Sequence, residues 1–198
     1  MSLLKWIWEY VKKTGTLIVI NFLFGITMFL VCAITNVVAR SAIIYVMLAA
    51  MYVLDFFLMR SAGEQDFKMN VIGEAKRNNK PSGAPETRST YHRSKEYRVY
   101  KGFLVGVFSL VIPAVFVIVA QLADSAGFRM GLVMAFGWLS APVIALNAKV
   151  NLFFCFILFG VSLLLFGISY IIGGEKGRLQ QYILLKKTNA ISEMEKKN

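Results

Sequence analysis

Uncharged apolar runs alternate along the chain with short cationic stretches, and the runs are longer than the core elements of a soluble domain require. Thr16 to Ala39 holds 24 residues without a charge. At 1.5 Å per residue such a helix is about 36 Å long, more than the ~30 Å hydrocarbon core of a bilayer. Little but Arg40 separates it from the next run, Ser41 to Met59, so the pair predicts a tight antiparallel helical hairpin whose ends fray near Asn36. Gly102 to Ala123 (22 uncharged residues) and Leu152 to Gly174 (23 residues) predict two further spans. Pro113 sits near the middle of the third run, where its missing N–H and ring clash predict a bend.

Met130 to Ala148 is the ambiguous stretch. It is uncharged for 19 residues, long enough to cross, yet Gly131, Gly137, Ser140 and Pro142 interrupt helical character. The pattern therefore predicts an all-α integral membrane protein with four transmembrane helices plus a re-entrant or fifth membrane helix at 130–148.

The first fifteen residues have a different period. At 100° per residue Leu3, Leu4, Ile7, Trp8 and Val11 share one face, with Trp6 and Tyr10 at its edge. Lys5, Glu9, Lys12 and Lys13 gather opposite. This predicts an interfacial amphipathic helix over 1–15, with Trp6 and Trp8 at headgroup level and Lys5, Lys12 and Lys13 toward anionic lipid. A cleaved signal peptide is the rival reading. The following apolar run is too long for a secretory core, and another span follows at once.

From Arg60 to Lys101 the chain carries ten Lys/Arg and five Asp/Glu. Its middle, Glu74 to Thr90, has almost no large apolar residue and two prolines, too little to offset its ordering entropy. A basic, partly disordered loop is expected over 60–101, with ordered flanks at Phe67–Gly73 and Tyr91–Lys101. Arg93, Lys95, Arg98 and Lys101 precede a span and are expected to meet headgroups. The tail, 175–198, has helix-forming residues without an apolar face, and predicts a helix extension leaving the membrane.

Charge then orients the chain. With four crossings and the N-terminus inside, 19 Lys/Arg fall inside and three outside; a fifth crossing changes the split to 14 and eight. Cations are retained on the cytoplasmic side of short loops, so four crossings are favoured, in a plasma membrane, with both tails and the middle loop cytoplasmic. The net charge of +11 is thereby explained without nucleic acid.

Composition closes most chemical classes. Only 17% of residues are charged against 57% apolar, and no soluble catalytic domain fits between the runs. Cys32 and Cys155 lie in apolar runs, as small hydrophobes do. His92 stands alone, so no metal site and no cofactor are expected. No HExxH, GxxxxGK[ST] or GxSxG occurs, and the expectation is a protein that is not an enzyme.

Asp55 is the sharpest candidate, because a carboxylate within a span is costly unless paired, hydrated or protonated. It is expected to reach the interface or to pair with Arg98 or Lys101; the competing reading is a proton or cation relay. Asn21, Gln121 and Asn147 complete the intramembrane polar set, as interhelical hydrogen-bonding groups or as a solute path. Gly102 and Gly106 form a GxxxG, and Gly160, Gly167 and Gly174 recur every seven residues, both patterns that allow close helix approach. Together these features predict a non-enzymatic accessory or scaffold subunit partnered by anionic lipids and by another membrane protein or a second copy. The alternative is a small transporter or channel component using Asp55 and the 130–148 element.

Overall fold

The computed structural model describes residues 3–78, 97–122 and 152–195, and among them every regular element is an α-helix. The order is α1 (Leu3–Val31), α2 (Val37–Asn78), α3 (Lys101–Leu122) and α4 (Leu152–Glu195). Three helices are long and apolar enough to cross a membrane, over Thr14–Val31, Val37–Ile72 and Phe156–Leu184; α3 contributes the shorter apolar stretch Lys101–Phe116.

Several predicted boundaries move. The interfacial helix over 1–15 is not a separate element, because α1 continues through Gly15 to Val31. A helical glycine costs only about 1 kcal/mol relative to alanine, too little to break the helix there. The hairpin turn falls at 32–36, by the Asn36 where the helix ends were expected to fray. Asn36 places it: Oδ1 accepts the Val38 and Ala39 N–H groups at 3.0 and 3.1 Å, an N-cap for α2. The last turn of α1 tightens as Ile34 N donates to Val31 O at 3.0 Å, and Arg40 Nη1 donates to the Ile34 carbonyl at 3.2 Å. Cys32 therefore lies in the turn, half-buried, not within a span.

The larger correction concerns α2. The expected loop from Arg60 is helical as far as Asn78, so α2 has 42 residues and a length of about 63 Å. The tail is likewise helical to Glu195, as the expected extension of α4. Residues 79–96, including His92, and 130–148 lie outside the described residues. Pro113 sits inside α3, which continues past it to Leu122.

The chain divides into two compact units. The first, Met1–Phe57 with Phe103–Gly167, holds most of α1, α3 and the apolar halves of α2 and α4. Buried positions recur every three or four residues: Thr14, Leu17, Asn21, Gly25 and Met28 on α1, and Ile44, Leu48, Met51 and Asp55 on α2. Gly106 faces Leu163 and Phe166, while Gly167 faces the Phe103 ring. Residue numbers fall along α4 as they rise along α3, so these helices are antiparallel.

The second unit is Leu58–Gly102 with Ile168–Asn198. Here α2 and α4 meet backbone to backbone. A Cβ on Gly173 would fall on the Arg60 carbonyl, and one on Gly63 on the Tyr170 carbonyl, with the Gly174 nitrogen at 3.2 Å. One on Gly177 would lie 3.1 Å from Phe67. Arg60, Gly63 and Phe67 thus pair with Gly173, Gly174 and Gly177; numbers rise together, and α2 and α4 run parallel. Of the expected small-residue patterns, both GxxxG positions are tightly packed, Gly102 against Tyr170 and Gly106 as above. In the seven-residue seam, Gly167 and Gly174 are packed, whereas Gly160 has open space around it.

Candidate functional site

In the first unit, α1 and α2 bring two polar side chains together among apolar ones. Asp55 is 0% exposed and Asn21 3%. With the Asn21 amide assigned so that its NH2 faces the carboxylate, Nδ2 donates to Asp55 Oδ2 at 3.1 Å and Oδ1 at 3.2 Å. The positions fit the seams just described: Asn21 follows Leu17 by one turn, and Asp55 follows Met51. Nearby along α2, Tyr52 lies within hydrogen-bond distance, 3.2 Å, of Ser162 Oγ, which itself donates to the Leu158 carbonyl at 2.8 Å.

Among the described residues no cation faces Asp55. The expected partners are elsewhere: Arg98 is exposed, and Lys101 pairs with Asp66 at 3.0 Å. Asp55 is itself fully buried in the seam. An amide suits such a carboxyl in both of its forms, since its NH2 donates to a carboxylate and its carbonyl accepts from a carboxylic acid.

The second unit holds a clamp that sequence reasoning missed. Asp66 Oδ2 accepts from the Tyr170 hydroxyl at 2.7 Å and from Lys101 Nζ, all three being buried. Tyr97 stacks on Tyr170 with centroids 5.6 Å apart and meets Phe67 edge-on at 5.6 Å. Past the apolar stretch that ends at Met59, Glu64 takes Lys176 at 2.8 Å and Lys68 at 2.6 Å. The available signal was spacing: Met59, Gly63 and Asp66 continue the buried rhythm of α2, and Tyr170, Gly173 and Gly177 that of α4.

Of the expected headgroup contacts, Arg98 is exposed, whereas Lys101 is buried in its ion pair and turned away from that role. Arg93, Lys95 and Asn147 lie outside the described residues. So do the side chains of Lys5, Trp6, Trp8, Lys12, Lys13 and Gln121. Among the described residues no group of His, Cys, Asp and Glu is arranged to hold a metal ion. The chain matches no known family model, curated protein or solved structure.

Proposed function

We propose that the chain is a multi-pass plasma-membrane protein acting as a non-enzymatic accessory or scaffold subunit. One observation carries this reading: polar groups are turned inward and engaged with one another, while large apolar side chains are left outside. Asn21, Asp55, Ser109 and Ser162 are buried, whereas Val19, Leu23, Val46, Phe57, Val115 and Leu164 are 51–69% exposed. In water that arrangement is costly. In hydrocarbon it is the favoured one, and it offers apolar helix faces to lipid and to helices of a partner.

Helix directions support four crossings. α4 runs antiparallel to α3 and parallel to α2, so Leu122 and Leu152 belong to the same side of the membrane, and a single crossing between them does not fit. A re-entrant 130–148 does. The cation split of 19 to three then favours a cytoplasmic side for both tails and the middle loop.

The Asp55–Asn21 pair favours a second reading, a small transporter or channel component, because its amide lets Asp55 exchange a proton without losing its partner. The two are separated by purification in mild detergent together with Asp55→Asn. A stoichiometric partner, retained by the variant, is the expected result. A homogeneous homo-oligomer with proteoliposome flux that Asp55→Asn abolishes would establish transport.

A further inference from the structure

Arg60 is the first cation of α2 beyond the apolar stretch that ends at Met59, and the described residues leave it without a counter-ion. Its Nε is shut off from solvent and meets no acceptor. The carboxylates within reach along α2 are already engaged. Glu64, one turn on, holds Lys68 and Lys176. Asp66 holds Lys101 and the Tyr170 hydroxyl. Asp55, five residues earlier, faces Asn21. The Arg60 backbone is also closely packed, its carbonyl lying where Gly173 has no side chain.

A half-buried guanidinium that no described carboxylate engages, placed where an apolar stretch gives way to a charged one, matches one ligand chemistry through its terminal Nη groups. Its planar fork presents parallel N–H groups to two oxygens of a phosphate, a geometry a lysine ammonium does not reproduce. The surrounding charge has the right sign: the second unit contains 16 of the 22 Lys+Arg and eight of the 11 Asp+Glu. Such a cationic field at a bilayer surface enriches anionic lipid.

The geometry points to Arg60 as a binding site for the phosphate of an anionic phospholipid headgroup. The inference rests on the membrane reading above, and its test separates the two. The full chain is purified in a zwitterionic detergent, reconstituted with mixed phosphatidylglycerol and phosphatidylcholine, and the lipid that stays bound through re-extraction is counted by native mass spectrometry. The wild-type chain is expected to retain phosphatidylglycerol over phosphatidylcholine by about fivefold or more. Arg60→Gln is expected to lose that preference, Arg60→Lys to keep part of it, and Arg178→Gln, an exposed control, to keep it all.

Equal retention of the two lipids by the wild type, or an unchanged preference in a correctly folded Arg60→Gln, overturns the proposal. Displacement of the lipid by inorganic phosphate overturns the lipid source and makes Arg60 a free-phosphate site. Circular dichroism and gel filtration report folding. If Arg60→Gln does not fold, Arg60→Lys decides, and wild-type affinity in that variant overturns the proposal. Extraction of the chain from membranes by alkaline carbonate would instead defeat the membrane reading itself.

Discussion

Replacing Lys101 with methionine tests the energetics of the clamp. The substitution keeps the length of the aliphatic stem and removes the charge paired with the Asp66 carboxylate. The side chains of Lys101 and Asp66 are each only 10% exposed, and their N–O distance is 3.0 Å. Removing one partner of a buried pair costs about 3–5 kcal/mol, because the other charge is left uncompensated. The surviving Tyr170 bond, a charge-assisted one of 2.7 Å, places the expected loss at the lower end, about 3 kcal/mol. Asp66→Asn is expected to cost a similar amount, since it removes the carboxylate that Lys101 pairs with. The double variant strands neither charge, so its cost is expected to fall short of the sum of the singles by about 2 kcal/mol. The measurement is reversible unfolding in mixed micelles, monitored by tryptophan fluorescence and far-ultraviolet circular dichroism. A Lys101→Met chain within about 0.5 kcal/mol of wild type, or strictly additive singles, would refute the reasoning.

Glycine packing gives a paired prediction. Gly63→Ala and Gly173→Ala put a methyl onto a facing backbone carbonyl and are expected to destabilise by about 1–3 kcal/mol or more, whereas Gly160→Ala meets open space and is expected to stabilise by up to about 1 kcal/mol in the same unfolding measurement. Glu64→Gln is expected to cost no more than about 1 kcal/mol, because the Lys176 and Lys68 partners are 42% and 53% exposed, and a larger loss in the same unfolding measurement counts against solvent-screened pairs. Topology is read by single cysteines at Ser2, Ser82 and Ser192 after replacement of Cys32 and Cys155: all three are expected to resist an impermeant thiol reagent in intact cells, and labelling at Ser192 alone would establish five crossings.

The apolar halves of the helices were legible because hydropathy there tracks an abrupt change of solvent. The third run, expected at Gly102 to Ala123, is α3 over Lys101–Leu122, bounded by charge and loop chemistry on its N-terminal side. The second half of α2 was not legible, because Arg60 looks like the end of a span while the helix itself persists on a buried rhythm that includes Gly63 and Asp66. Hydropathy averages over that rhythm and scores Asp66 as surface. The same limit hid the site. Asp55 stood out as a lone acid in a span, but no spacing rule links it to Asn21 on another helix, and Lys101 looked equally near until Asp66 was known to be buried beside it. Tyr52 and Ser162 carry no charge and gave no signal at all.

The order of synthesis gives the clamp a timetable. Asp66 leaves the ribosome 104 residues ahead of Tyr170, which at 5–20 residues per second is a wait of roughly 5–20 s. Lys101 emerges earlier and can neutralise the carboxylate, but the glycines that seat α4 against α2 arrive only with the last quarter of the chain. Until then the polar half of α2 has no backbone surface to close upon. A nascent chain stalled before Gly173 would therefore hold its apolar helices already formed and the polar half of α2 still without the surface it packs on.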